Sequence, residues 1–281
     1  MTGALFSAAM GDTDVDRYLA RIGYSGLRTA TSETLRALHR LHPQAIAFEN
    51  LDPLLNRLPL RLDAMSLMEK LVDSQRGGYC FEQNLLFGQV LSSLGFDVAG
   101  LAARILWNQP NDVRTPRGHM LLKLCVDGEV YIADVGFGAL TLTAPLLLSD
   151  GGEQDTPHER FRLTESGGLY RLDAMIGDGW RPVYRFDLQE QVRGDYEIAS
   201  YYLSSHPDSH FRKTLIAARP FEGGRHALLD NRLTTYTLEG EPERRVLGSV
   251  SELREALAST FLIDVPEGCD AILATALAAA H

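Results

Sequence analysis

The chain has 281 residues, 45% hydrophobic and 23% charged, an ordinary globular composition that argues against disorder, collagen and coiled coil. Its net charge of −10 disfavours general nucleic-acid binding, which draws mostly on phosphate neutralisation, although local basic groups could still bind a phosphorylated cofactor. No apolar run approaches the roughly 20 residues of a membrane span, MTGALFSAAMGD lacks the features of a signal peptide, and three cysteines without CxxC spacing disfavour a disulfide framework or a metal site and point to a reducing cytoplasm.

The first hundred residues read as helical. Val15, Tyr18, Leu19 and Ile22 recur at helical spacing from Asp14 to Ile22, and Gly23 stops the run. Thr31 or Ser32 caps a second helix with Leu35, Leu38 and Leu41 on one face, ending before Pro43. A third is expected near Ser66 to Val72. A fourth begins at or near Cys80 and runs to Gly95, a C′ glycine.

From residue 97 to about 190 the pattern changes to short apolar runs separated by Asp127-Gly128, Gly167-Gly168 and Gly177-Asp178-Gly179, which predicts an antiparallel sheet or barrel. Beyond Asp195 the chain is mixed. It has a helix over Tyr196 to Leu203, then SSHPDSHF, then strand-like runs near Ala227 to Leu238 and Glu243 to Leu247. Ser249-x-x-Glu252 forms a capping box that opens a helix to about Thr260, and AILATALAAA reads as a packed terminal helix. The order of helices, then strands, then mixed structure gives an α+β fold class, with helices over 1–95, an antiparallel sheet or barrel over 96–194 and an α/β segment over 195–281.

RGGYCFEQN (76–84) carries the first chemical signal. A helix N-terminus holds roughly half a positive charge and unpaired N–H groups, which stabilise a thiolate at Cys80. Gly77-Gly78 allows a ligand or backbone to approach closely, and Arg76 adds a nearby charge or a structural anchor. The competing reading is a buried small hydrophobe, which is also the expectation for Cys125 and Cys269.

A cysteine nucleophile needs a base, itself oriented by a carboxylate or amide. RGHMLLKLCV and EVYIADVG flank Asp127-Gly128, a strong two-residue hairpin turn. If Val126 pairs with Glu129, His119 faces Gly136 and Leu121 faces Asp134. His119 and Asp134 are then diagonal neighbours on one face, roughly 7–8 Å apart at the backbone. A slip of one residue would separate them.

With these residues in view, the chain resembles the bacterial arylamine N-acetyltransferases. The matching stretches are DRYLARIGYSG (16–26), AFENLD (47–52), RGGYCFEQN (76–84), RGHMLLKL (117–124), ADVGFG (133–138) and SSHPDSHF (204–211). Ala47 departs from the proline common in the family. The resemblance implies a helical domain, a barrel and a lid. It also implies a Cys80-His119-Asp134 triad and acetyl-CoA as donor with no metal. The acceptor would be a small aromatic amine, hydrazine or hydroxylamine. It sets the Gly136-Phe137-Gly138 loop beside CoA phosphates and Phe48 and Phe137 in the acyl and acceptor pocket. Trp107, Ser209 and His210 correspond to CoA-contacting positions. Each of these has a plainer alternative: a turn, a core aromatic or a solvated loop. The expected partners include neither nucleic acid nor membrane, and nothing decides against a homo-oligomer.

Rival readings are an amide synthase taking its acyl group from a carrier protein, a cysteine-triad hydrolase of amides, and a non-enzymatic binding module. The first two share the acyl-cysteine intermediate.

Overall fold

The computed structural model describes residues 5–6, 9–110, 113–149 and 151–279. Eight helices carry the labels α1 (Asp12–Arg21), α2 (Ser32–Ala45), α3 (Leu51–Leu54), α4 (Ala64–Leu67), α5 (Cys80–Ser93), α6 (Arg193–Ser205), α7 (Val250–Glu255) and α8 (Asp270–Ala278). A π-helical turn prolongs α4 through Met68–Asp73, and another prolongs α7 through Ala256–Thr260. Thr31 caps α2 by accepting a bond from Thr34 N. The terminal helix is seated by Leu273 and Ala276, and the last two residues of the chain, including Ala280 of the expected helix, lie outside the described residues.

An antiparallel sheet of eight strands follows α5: β2 (Asp97–Ile105), β3 (His119–Val126), β4 (Glu129–Ala133), β5 (Leu146–Leu147), β6 (Glu153–Asp155), β7 (Arg160–Ser166), β8 (Leu169–Ile176) and β9 (Gly179–Phe186). Its order is β5-β4-β3-β2-β9-β8-β7-β6. It curls almost shut. The Gln154 amide of edge strand β6 accepts from Leu147 N (2.7 Å) and donates to Leu147 O (2.8 Å) on the other edge, β5, standing in for a backbone pair. A second sheet joins β1 (Phe48–Glu49) to β10 (Ile216–Phe221), β11 (Gly224–Leu229), β12 (Arg232–Thr237) and β13 (Glu243–Val246) in that order.

β3 alternates in the usual way of a strand. Met120, Leu122 and Leu124 join the helical core around α5, while Leu121 joins the barrel core with Leu101 and Tyr184. α5 is buried continuously from Cys80 to Leu91, as a helix at the centre of a core must be. Three of its buried polar residues are bonded to neighbouring elements: Glu82 to Lys70, Gln83 to His42, and Asn84 to Met120 O.

Four expectations need correction. α2 does not stop before Pro43 but runs through it, because His42 is held in helical geometry by bonds to Tyr18 Oη (2.7 Å) and Gln83 Oε1 (2.6 Å). The run from Ala227 to Leu238 is two strands, β11 and β12, folded at Asp230, whose φ of 51° makes the turn. Ser249 caps α7 by accepting from Glu252 N, but Glu252 Oε2 returns to Gly248 N and Arg245, so the reciprocal half of the box is absent. Cys125 is exposed on β3, whereas Cys269 is buried as expected.

Candidate active site

α5 begins at Cys80. Tyr79 occupies the N-cap, and its N–H donates to Glu82 Oε2 (3.1 Å). The first intrahelical bond runs from Gln83 N to Tyr79 O (3.0 Å), so the N–H groups of Cys80 and Phe81 precede the helical ladder. The approach to this helix is tightly built. A side chain at Gly77 would stand 2.1 Å from Ala47 O, so it is backbone that approaches there. Arg76 is an anchor, its guanidinium buried against Glu49 (2.6 Å) and Asp52 (3.1 Å).

The β3–β4 hairpin has the expected register, with Val126 opposite Glu129 and Leu122 opposite Ala133. Asp127 and Gly128 both take positive φ in the turn. Asp134, one residue past β4, and His119, the first residue of β3, meet on one face: His119 Nε2 and Asp134 Oδ2 lie 2.6 Å apart. Both are buried, at 2% and 0% exposure. With Nε2 committed to Asp134, Nδ1 is the ring nitrogen left free for another partner. Cys80 Sγ also lies 3.9 Å from Gly118 O.

Burial works against a charged imidazole here. The charge and hydrogen bond of Asp134, helped by Cys80, outweigh it and raise the His119 pKa to about 10. Burial also disfavours the Asp134 carboxylate, yet His119, Asn84 and the Gly136 N–H hold its pKa below the ordinary value. The pair is an imidazolium and a carboxylate at neutral pH.

Asn84, Tyr184 and His39 complete the surroundings, and none was picked out from the sequence. Asn84 stands one turn beyond Cys80 on α5. Its Nδ2 donates to Asp134 Oδ1 (3.0 Å) and Met120 O (2.8 Å), and its Oδ1 accepts from Val135 N (3.1 Å). The i, i+4 spacing from Cys80 was the available signal. The Tyr184 ring lies 5.3 Å from that of His119, its buried hydroxyl without a hydrogen bond among the described residues. His39 of α2 accepts the Asp134 N–H at Nε2 (3.1 Å).

The other expected positions divide into two groups. Phe137 stands beside His119, its ring edge-on at 5.1 Å. Phe48 is buried beside the same loop, 3.7 Å from where a Gly138 Cβ would stand. Gly136 is needed for packing: a Cβ there would lie 2.8 Å from Cys80 Cα and 3.0 Å from Asn84 Nδ2. Gly138 has a φ of +88°, in the region that favours glycine. Among the described residues, the second group makes no hydrogen bond or ring contact with Cys80, His119 or Asp134. Trp107 lies half-buried in the turn after β2, its N–H bonded to Val183 O. Ser209 spends its hydroxyl on Leu203 O, and His210 is exposed with its ring 4.0 Å from that of Phe211.

Residues 31–269 match the family described as N-acetyltransferase. An arylamine N-acetyltransferase of Escherichia coli (strain K12) is 41% identical over 254 residues, covering 90% of each chain. The chain belongs to the arylamine N-acetyltransferase family. A Salmonella typhimurium relative, named arylamine N-acetyltransferase / N-hydroxyarylamine O-acetyltransferase, is 39% identical, covering 93% of this chain and 94% of its own. Among solved structures, the Mycobacterium marinum arylamine N-acetyltransferase in complex with CoA superposes with a TM-score of 0.87 at 38% identity, covering 94% of this chain and 97% of that one. The chain is thus a transferase of acyl groups with the family's α+β fold. Among the described residues, no helix is long and apolar enough to cross a membrane, and no group of three or more His, Cys, Asp or Glu could hold a metal ion.

Proposed function

We propose that this protein transfers the acetyl group of acetyl-CoA to arylamines, arylhydrazines or arylhydroxylamines by a ping-pong mechanism, with Cys80 as nucleophile, His119 as acid and base, and Asp134 as the group that orients and charges the imidazole. The observation that carries the reading is the buried His119–Asp134 pair, with the Cys80 thiol at the start of α5 lying 3.9 Å from the carbonyl of Gly118, the residue before His119.

In the first half-reaction the Cys80 thiolate, paired with the His119 imidazolium, attacks the thioester carbonyl carbon. The bond from that carbon to the CoA sulfur breaks. The departing thiolate takes the proton from His119, leaving acetyl-Cys80 and a neutral imidazole. In the second, the acceptor nitrogen or hydroxylamine oxygen attacks the acetyl carbon, His119 takes its proton, and the Cys80 thiolate is restored. The N–H groups of Cys80 and Phe81, ahead of the helical ladder, are suited to hold the developing oxyanion in each half. Asp134 keeps Nδ1 aimed at sulfur and stabilises the imidazolium.

Phe137 and Phe48 supply apolar surface next to the triad for the acyl group and the aromatic acceptor. The Gly136-Phe137-Gly138 loop, Trp107, Ser209 and His210 are carried as CoA-side positions on the family resemblance. The name of the Salmonella typhimurium relative supports hydroxylamines as acceptors, and the CoA bound in the Mycobacterium marinum structure supports a CoA thioester as donor.

The test is intact mass after mixing with acetyl-CoA alone, beside Cys80→Ala. One added acetyl group in the wild type only, discharged by an aromatic amine, is the expected result. No gain, with Cys80 still reactive to an alkylating probe, would overturn the donor assignment.

A further inference from the structure

The loop that follows Asp134 is held from three sides. Gly136 lies against the start of α5, where a Cβ would stand 2.8 Å from Cys80 Cα. The loop also closes on itself through Thr141, whose hydroxyl donates to Asp134 O (3.1 Å) and accepts from Phe137 N (3.4 Å). The third side is the sheet of β1 and β10–β13. Phe48 of β1 packs 3.7 Å from where a Gly138 Cβ would stand, and Arg225 of β11 donates to Ala139 O. The same guanidinium donates to Glu159 Oε2, on the residue just ahead of β7. Arg225 is 4% exposed. One buried side chain thus ties the second sheet both to the barrel and to the loop, two residues beyond Phe137. His158 reinforces the junction. Its Nε2 lies 2.9 Å from Phe221 O and 2.8 Å from Gly224 O, at either end of the β10–β11 turn, so Nε2 is the donor, and its Nδ1 lies 3.0 Å from Thr143 Oγ1.

The acyl-transfer steps use neither Arg225 nor Glu159. Burying an ion pair adds little stability over well-packed apolar side chains. What a planar guanidinium does supply is direction, because it fixes its acceptors in a rigid fork. Here the thing fixed is the loop that carries Phe137. The Phe137 ring is partly exposed, 5.1 Å from the His119 ring and 5.5 Å from that of Tyr184. Tyr184 is set by the pairing of β9, whereas Phe137 stands where its loop is held. We propose that Arg225, paired with Glu159, is a positioning residue for the acceptor half-reaction: by fixing Ala139 it sets the place of Phe137, and with it the width open to the aromatic acceptor at acetyl-Cys80. The inference rests on the acyl-transfer reading above and adds to it a specificity-determining residue on β11, outside the triad and outside every motif singled out from the sequence.

The experiment loads the enzyme with acetyl-CoA, removes the donor, and discharges the acetyl-enzyme with aniline or with 4-tert-butylaniline, which presents the same nucleophile on a wider ring. The readout is the ratio of the two discharge rates, followed by intact mass, in the wild type, Arg225→Ala, Arg225→Lys, Phe137→Ala and Arg225→Ala/Phe137→Ala. The expected result is a ratio shifted toward the wider amine by about tenfold in Arg225→Ala, and by less in Arg225→Lys, which keeps the charge but not the fork. In the Phe137→Ala background, Arg225→Ala should move the ratio no further, because the side chain it positions is gone. A general loosening of the fold would lower both rates together and leave the ratio unchanged. An unchanged ratio in Arg225→Ala overturns the positioning role, and so does a shift of full size with Phe137 already removed. If Arg225→Ala does not fold, Arg225→Lys and Glu159→Gln carry the same comparison, with a shifted ratio expected and an unchanged one overturning the role. A wild-type enzyme that takes no acetyl group, or whose acetyl group neither amine removes, overturns the acyl-transfer reading itself.

Discussion

Asn84 holds Asp134 in place from the same helix that carries the thiol. It donates to Asp134 Oδ1 and accepts from Val135 N, while Asp134 Oδ1 also accepts from Gly136 N (3.0 Å). Asn84→Ala leaves a buried N–H and a carboxylate oxygen short of partners. The expected cost is about 1–3 kcal/mol of stability by urea denaturation, with kcat down roughly 10- to 100-fold as the imidazole loses its fixed orientation. Wild-type kcat in this variant would refute the positioning role. The His119–Asp134 pair makes a second prediction, in pH. His119 has a folded pKa raised to about 10, so its contribution to stability is complete below its unfolded value of about 6.5 and is lost as pH rises toward 10. Asp134 has a lowered folded pKa, so its contribution is present above its unfolded value of 3.8 and is lost as pH falls through the folded one. The stability gap between wild type and Asp134→Asn is therefore widest near about pH 5, of order 3–5 kcal/mol for a broken buried pair, and narrows toward pH 10. Urea midpoints at several pH values measure it, and a gap of constant size would exclude the ion pair as its source.

At the scale of elements, the site depends on how closely the loop after β4 packs on the start of α5. Gly136→Ala would set a Cβ 2.8 Å from Cys80 Cα, and since both are backbone-bound the loop must move away from the helix. A shift of about 1 Å in Asp134 or His119 relative to Cys80 costs on the order of 100-fold in kcat. The expected variant is folded by circular dichroism, slower to take acetyl from acetyl-CoA, and slower at cysteine alkylation. An acetylation rate within twofold of wild type would show that the loop can yield without disturbing the triad. This packing also explains what could be read from the residues alone. The Asp127-Gly128 turn closes β3 on β4 with a two-residue loop, so the period-2 rule carried the His119–Asp134 register to the correct face. No comparable turn ties β2 to β9, so that pairing becomes visible only with the sheet assembled. Tyr184 reaches His119 by the same long-range pairing. Asn84 lay inside a motif already singled out, one turn beyond Cys80, yet its partner Asp134 is 50 residues away, so the local spacing marks the residue and not its bond. Pro43 was misread because the propensity to end a helix was outweighed by the tertiary bonds of His42.

Across the molecule, α2 brings two histidines into the same core that holds α5, and both are neutral there. Burial pushes His39 down to about 3 and His42 down to about 4. His42 is satisfied at both nitrogens, whereas His39 accepts the Asp134 N–H and leaves Nδ1 without a partner among the described residues. His226, stacked on Phe221, is lowered to about 4 as well. In the unfolded chain these imidazoles take up protons below about pH 6.5, and in the folded one they resist until pH 3 to 4. The unfolded state thus binds more protons through this window, and stability falls as pH falls. Each such group contributes up to about 1.4 kcal/mol per pH unit. His39→Gln provides a side-chain carbonyl to accept the Asp134 N–H and removes one titrating group. Urea denaturation between about pH 6.5 and 4 should give a slope shallower by up to that amount, with stability at neutral pH little changed. The acid-side loss seen at Asp134 belongs to a lower pH range, because its carboxylate protonates below 3.8, so the two effects separate along the pH axis. A slope identical to wild type in His39→Gln would mean that His39 is already protonated in the fold, and the Asp134 N–H would then need another acceptor.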